Sequence, residues 1–551
     1  MQSTMMSTPL TLDRLLERAG TLYCDVEVVS RRPDRSLHRY TYRDMYVRAR
    51  QLAKALVAAG LRPGDRVATL MWNHAAHLEA YFGIPAAAGV LHTLNLRLFP
   101  EDIAYIANHA QDRFLIVDDV LLPLYAKFKD ATRFERVFVV PSGGPVPAGY
   151  ESYEDLLAEG TGPYDYPRID EGAPCGMCYT SGTTGRPKGV VYAHRSSVLH
   201  ALGMSLPDAV ALSCRDTVVP VVPMFHANAW GLPYAAAMVG ARQALPGPHL
   251  DAESLLDLFA RERVTVTGGV PTIWMGVLKA LRDAPDRWRL QPGMRMLVGG
   301  SAVPPSLIAA FDAFDLNIVA AWGLTETSPL ASVSTLRPEL DARPEAERLA
   351  YRARAGVPLP LCELRVWSDD GVAPWDGASV GEIEIRGPWI TARYHERPDS
   401  ADRFSDDGWF RTGDVAYMTP EGYISITDRA KDLIKSGGEW ISSLAIENEL
   451  MAHPGVAEAA VIAVPHERWM ERPLAVIVRH PGADVTDDEL RAHLRGKFAR
   501  WWMPDAFVYI DQIPRTATGK FQKLKLREVY SDWQRIENVI GPATSDEEAA
   551  T

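Results

Sequence analysis

Helix-length and strand-length hydrophobic periods alternate along this chain, and that alternation restricts its fold more than any other feature. Residues 42–59 carry helical spacing, residues 66–71 form a short apolar run, and residues 75–88 are helical again. Strand-like runs recur at 114–117, 136–140, 264–267 and 296–298. Strands separated by helix-length segments point to parallel pairing, with the crossover helices covering the sheet faces. The expected class is therefore α/β, with a large N-terminal domain of helix-covered sheets.

At 551 residues the chain exceeds what one core organises, so a second unit is expected. From 356 to 423 the strands shorten, as at 382–386 and 423–427, and Gly, Pro and Asp turns separate them, which reads as a small β subdomain. Beyond Asp428 a polar segment leads to a helix at 443–452, strands at 457–464 and 474–478, and a helix at 487–498. The expected division is 1–428, a linker at 429–434, and a small α+β domain at 435–551.

Composition removes several function classes. With 58 basic and 70 acidic residues the formal charge is −12, which opposes general attraction to nucleic acid or anionic lipid, so an anionic ligand must meet locally placed cations. The opening residues lack a basic, then apolar, leader pattern, and no segment reaches the roughly 18 apolar residues of a membrane span. The expectation is a cytoplasmic protein without an integral membrane segment. Five cysteines are too scattered for a disulfide framework. Cys175 and Cys178 form a CGMC pair inside an apolar strand pattern, where residues three apart face opposite ways, which disfavours a metal or redox role.

Residues 179–189 read YTSGTTGRPKG. Small residues allow a tight turn, hydroxyls and backbone N–H groups can face an anion, and Lys188 adds charge, so a polyphosphate fits. A plain surface turn is the competing reading. The GxxxxGK[ST] spacing of the Walker loop is missing, which disfavours a P-loop NTPase.

Together with six later segments, this loop resembles the adenylate-forming superfamily of acyl-CoA synthetases, luciferases and adenylation domains. The segments are VVPMFHANAWG (221–231), VGGS (298–301), AWGLTETSP (321–329), RTGDVA (411–416), DRAKDLIKSGGEWIS (428–442) and PRTATGK (514–520). Their order covers nearly the whole chain, and the wording is most similar to bacterial long- and medium-chain fatty acyl-CoA synthetases. The resemblance implies ATP, Mg²⁺ and coenzyme A as co-substrate, a fatty acid as acyl donor, a mobile C-terminal domain and a homodimer.

Residue by residue, the resemblance places Thr180, Ser181, Gly182, Thr183, Thr184 and Lys188 around the ATP phosphates. Two anions must meet when a carboxylate attacks the α-phosphorus, so charge neutralisation and positioning dominate the chemistry. Thr184 and Glu326 are implied to hold Mg²⁺, with Thr325 on the α-phosphate. Trp322, followed by Gly323, offers a flat face for adenine, and Gly300, Ser301 and Ala302 offer close backbone approach, Gly300 also bordering the acyl group. Asp414 is expected on the ribose hydroxyls, with Arg429 reaching the sugar or phosphate. His226 lies beside the acyl carboxylate, and Trp230 resembles the tryptophan that gates the acyl tunnel. Lys520 bridges carboxylate and α-phosphate during adenylation, whereas Lys435, Gly437, Gly438 and Glu439 line the pantetheine passage. Lys431 is the hinge about which the small domain rotates between the two steps. Taken singly, Glu326 reads more often as a solvated or capping carboxylate, Trp322 as core, His226 as a satisfied core histidine and Lys520 as a surface lysine, and Asp414 equally as a turn former. Only the family match separates these roles.

No enzyme nucleophile is needed, because the adenylate is itself a reactive mixed anhydride and the CoA thiol is the second nucleophile. Competing functions are an adenylation enzyme loading a carrier protein, a ligase for a short thioether or aryl acid, a nucleotide-binding pseudoenzyme and a luciferase-like oxidase.

Overall fold

The structure is a computed structural model that describes residues 3–180, 186–429, 431–436, 439–466, 468–515 and 521–531. It divides into a large unit (Met1–Ser379, Glu384–Thr412, Met418–Ser425) and a small one (Val380–Ile383, Gly413–Tyr417, Ile426–Thr551).

The large unit contains the expected parallel sheets. In one, seven strands run in the order Glu151–Ser152, Arg136–Val140, Asp112–Asp118, Arg66–Leu70, Val90–Thr93, Pro174–Tyr179, Gly189–Ala193. Every pair is parallel except the last, a hairpin. In the other, nine strands run Val357–Pro358, Leu330–Val333, Leu316–Gly323, Met294–Val298, Val266–Gly269, Thr217–Pro220, Arg242–Leu245, Glu27–Arg31, Leu37–Thr41. Its interior pairs are parallel, and antiparallel strands finish both edges.

Local chemistry explains the covering helices. Tyr42–Ala58 starts at a capping box in which the Asp44 N–H donates to Thr41 Oγ1 (3.3 Å) and the Thr41 N–H to Asp44 Oδ2 (2.8 Å). It buries Met45, Ala49, Leu52 and Leu56 on one face, the spacing legible in the sequence. Ala75–Ala86 is buried on all sides, so it is a central rather than an amphipathic helix. Under the nine-stranded sheet the core joins Leu255, Phe259, Trp274 and Leu278 from two helices to Met296, Val298 and Ile318 from the strands.

Between 356 and 429 the strands Glu363–Ser368, Gly371–Val372, Gly381–Arg386, Phe410–Met418 and Ile424–Arg429 supply the expected short-stranded stretch, the first two as a hairpin. In the small unit Val456–His466 pairs with Met470–Arg479, which also pairs with Ala506–Tyr509 and with the hairpin Ile434–Ser436/Glu439–Ile441. Helices Ser443–Met451 and Asp487–Leu494 pack on this sheet through Ile446, Leu450, Leu490 and Leu494. The helix expected over 487–498 stops at Leu494, because Arg495 is extended and Gly496 takes φ +80°.

Cys175 and Cys178 are free, buried and on one strand, Pro174–Tyr179. Burial pushes the Cys175 thiol up to about 12 and raises that of Cys178, so neither supplies a thiolate near neutral pH. Among the described residues no cluster of His, Cys, Asp and Glu suited to a metal occurs, and no helix is long and apolar enough to cross a membrane.

Candidate active site

The nine-stranded sheet has a switch point at Thr217–Pro220. Its neighbours are Arg242–Leu245, next in sequence, on one side and Val266–Gly269 on the other. Connections that leave in opposite directions open a crevice at the carboxyl ends of the strands, where open α/β sheets bind ligands. Residues 221–231 occupy that position. Asn73 clamps their start: its amide nitrogen donates to Pro220 O (2.8 Å) and Val222 O (2.9 Å), and its oxygen accepts from the Met224 N–H (2.7 Å).

His226 and Trp230 belong to a left-handed turn. Ala227, Asn228, Ala229 and Trp230 have φ of 42°, 52°, 48° and 57°, and Gly231 has 74°. Each L-residue in this conformation costs about 1–2 kcal/mol, so the surroundings must impose it. Cys178 Sγ donates to Asn228 Oδ1 (3.3 Å), and a methyl on Gly176 would lie 3.3 Å from the Asn228 amide nitrogen. The buried Trp230 ring rests on two glycines: a methyl on Gly268 would lie 3.6 Å from it and one on Gly299 3.4 Å. Gly231 abuts buried His200, whose Nε2 accepts from the Leu330 N–H (3.1 Å). Burial pushes that imidazole down to about 3. His226 is half-buried, and its carbonyl accepts from the Ala229 N–H (3.0 Å). Gly300 (φ 86°), Ser301 and Ala302 are exposed and follow the strand Met294–Val298.

The segment 180–188, expected from the sequence to bind phosphate, joins the antiparallel strands Pro174–Tyr179 and Gly189–Ala193. Its neck is tied by the Thr180 N–H to Lys188 O (2.9 Å) and the Lys188 N–H to Thr180 Oγ1 (3.1 Å). The Lys188 ammonium sits 4.8 Å from the centroid of the Tyr394 ring. Tyr394 in turn donates its phenol proton to Glu326 Oε1 (2.5 Å). Two residues singled out in the sequence, Lys188 and Glu326, thus meet on a third that sequence reasoning missed. Burial first, and the Glu326 charge second, raise the Tyr394 phenol, which keeps it a donor.

Glu326 lies in the turn Thr325–Thr327, fixed on several sides. Tyr192 donates to Thr325 O (2.8 Å), the Thr391 N–H to Glu326 O (2.8 Å), Ser328 Oγ to Trp389 O (2.8 Å), and Trp389 Nε1 to Leu330 O (3.1 Å). Trp322 is buried at 7% exposure and lies opposite Ser332; a bulge separates it from Gly323. A side chain at 323 is impossible, since a methyl there would lie 1.7 Å from Pro329 O.

The small unit holds Asp414 and Arg429 together. Arg429 Nε is 3.0 Å from Asp414 Oδ1, and Asp414 is 4% exposed. Lys431 is exposed in a turn where the Asp432 and Leu433 N–H groups both donate to Arg429 O (2.8 and 2.9 Å). Lys435 is exposed in the strand Ile434–Ser436, and its N–H donates to Glu471 Oε2 (2.8 Å). Ser181, Gly182, Thr183, Thr184, Gly437, Gly438, Lys520 and the side chain of Glu439 lie outside the described residues.

The chain matches the model of AMP-binding enzymes over residues 16–395 and that of the AMP-binding enzyme C-terminal domain over 445–520. It is 50% identical to a long-chain-fatty-acid–CoA ligase of Thermus thermophilus, over 96% of this chain and 97% of that one. It is 44% identical to a medium-chain-fatty-acid–CoA ligase of Ectopseudomonas oleovorans (97% and 98%) and 43% identical to a 3-methylmercaptopropionyl-CoA ligase of Ruegeria lacuscaerulensis (97% and 99%). Among solved structures, an anthranilate CoA ligase in complex with anthranoyl-AMP superimposes with a TM-score of 0.83 at 26% identity, covering 96% of this chain and 99% of that one. ATP-bound MatB from Rhodopseudomonas palustris gives 0.80 at 26% identity, covering 95% and 99%. With both of its regions matched and relatives covered end to end, the chain belongs to the AMP-binding enzyme family.

Proposed function

We propose that this protein is an ATP-dependent fatty acid–CoA ligase, which converts a fatty acid and ATP to acyl-AMP and pyrophosphate and then transfers the acyl group to CoA, releasing AMP. The observation that carries the adenylation step is the meeting of Lys188 and Glu326 on Tyr394. A cation for phosphate then lies over the face of one ring, whose hydroxyl holds a buried carboxylate suited to a hard metal ion.

The site's chemistry fits Mg²⁺. Tyr394 engages Oε1 of Glu326, and among the described residues no hydrogen bond reaches Oε2, which suits a metal that keeps several waters. Bound there with Thr184, the ion would neutralise phosphate charge. Lys188 draws the polyphosphate in, Thr325 meets the α-phosphate, and Asp414 with Arg429 takes the ribose. His226 orients the acyl carboxylate, and Lys520 offsets charge as the carboxylate attacks. Lys435 and the 437–439 segment serve thiol entry in the second step, with domains 1–428 and 435–551 alternating about the linker 429–434.

Support for a fatty acid comes from the long- and medium-chain names of two end-to-end relatives and from the buried, apolar Trp230 four residues after His226. A short thioether acid is the second reading, favoured by the 43% identical 3-methylmercaptopropionyl-CoA ligase. A cytoplasmic homodimer belongs to the same proposal, and a monomer in light scattering would remove the dimer. The deciding assay measures acyl-CoA formation from fatty acids of graded length, 3-methylmercaptopropionate and aryl acids. Preference for the thioether acid selects the second reading, and adenylation without transfer to free CoA selects a carrier-loading enzyme.

A further inference from the structure

The segment 391–395 touches both halves of the proposed ATP site. The Thr391 N–H holds the Glu326 carbonyl (2.8 Å), the Tyr394 phenol holds the Glu326 carboxylate (2.5 Å), the Tyr394 ring carries the Lys188 ammonium (4.8 Å), and the His395 N–H donates to Gly189 O (2.9 Å). One five-residue strap therefore ties the exit of the phosphate loop to the turn that bears Glu326.

We infer that Tyr394 is a positioning residue for adenylation, which orients the Glu326 carboxylate through its hydroxyl and holds the Lys188 charge on its ring face. The inference rests on the reading that Glu326 serves the metal and Lys188 the phosphates. Tyr394 suits the task because it cannot itself wander. It is 4% exposed, and Phe404 and Phe410 meet its ring edge-on at 6.3 and 6.4 Å. A free glutamate side chain samples several rotamers, whereas a phenol bonded to Oε1 selects those that keep this contact and leaves Oε2 for another partner. The ring face attracts an ammonium through its quadrupole without neutralising it, so Lys188 stays available to a polyphosphate.

The two contacts separate by mutation. Tyr394→Phe keeps the ring and removes the hydroxyl. We expect the Mg²⁺ concentration for half-maximal pyrophosphate release to rise about tenfold, as for loss of a hydrogen bond to a charged group. Thioester formation from supplied acyl-adenylate should not change, and the melting temperature should fall by no more than about 3 °C, as for one lost buried hydrogen bond in a unit of this size. Tyr394→Leu also removes the ring, and its KM for ATP should rise beyond that of Tyr394→Phe. If Tyr394→Leu does not fold, Lys188→Met replaces it, and Tyr394→Phe must multiply its effect because hydroxyl and ring act separately. Wild-type Mg²⁺ dependence in Tyr394→Phe, with strong Mg²⁺ dependence of Glu326→Gln, overturns the role of Tyr394 and leaves the ligase reading intact. Unchanged Mg²⁺ dependence in Glu326→Gln overturns the metal reading and the inference together. Equal loss of both half-reactions in Tyr394→Phe shows a merely structural residue and also overturns it.

Discussion

Replacing Gly231 by alanine tests how the acyl-side turn is held. Gly231 has φ 74°, where an added Cβ costs about 1–2 kcal/mol. That Cβ would also stand 2.6 Å from His200 Nδ1 and 2.8 Å from its Cε1, well inside contact distance. The imidazole cannot retreat freely, because it is buried and its Nε2 holds the Leu330 N–H at 3.1 Å. Breaking that bond strands a buried donor at about 1–3 kcal/mol, so Gly231→Ala should destabilise the large unit by about 2–5 kcal/mol. For a unit of this size the melting temperature then falls by about 2–5 °C, read by calorimetry at one scan rate. In a His200→Ala background the overlap is gone, and Gly231→Ala should cost only the backbone part, about 1–2 kcal/mol. A fall below about 1 °C in the single variant, or the same increment in both backgrounds, refutes the socket argument.

The remaining expectations concern catalysis and pH. Lys520→Ala should lower acyl-adenylate formation about 10²- to 10³-fold while thioester formation from supplied adenylate persists, and equal loss of both steps sinks that role. Trp230→Ala should shift the preferred acyl length without abolishing ATP binding, so an unchanged profile in folded protein retires the gate. Lys431→Pro, which fixes φ near −65°, should retain single-turnover pyrophosphate release yet lose most acyl-CoA formation from preformed adenylate; survival of both steps rejects rotation about this linker. His200 is depressed from 6.5 to about 3 by burial, so the unfolded chain binds its proton first and stability falls as pH drops below about 6.5, by up to about 1.4 kcal/mol per pH unit. His200→Gln should flatten that dependence between pH 7 and 5 in calorimetry, and an identical slope contradicts the assignment.

Much of the architecture was legible because it is written in short-range periodicity. The 3.6-residue spacing of Met45, Ala49, Leu52 and Leu56 announces a helix with one buried face, and the Thr41–Asp44 pair marks its start. Strand runs such as 66–71 and 136–140 appear as strands Arg66–Leu70 and Arg136–Val140 for the same reason. Edges were harder to read. The strand expected at 474–478 extends over Met470–Arg479, since polar Glu471 and Arg472 gain their ladder bonds from Val456–His466 and show no apolar signal.

By itself the sequence determined the fold class and marked residues 179–189 as a tight glycine-rich turn carrying Lys188, because turn chemistry, periodicity and charge act within a few residues; Glu326 stood out only through the family resemblance. Tertiary structure alone decided the strand order that puts Thr217–Pro220 at a switch point, and with it the crevice that residues 221–231 enter. It also decided that Tyr394 reaches Glu326 across 68 residues of chain, and that four consecutive non-glycine residues adopt left-handed backbone. Local preference opposes that turn, and long-range contacts with Cys178, His200, Gly268 and Gly299 impose it; their energy depends on packing that no window of sequence contains.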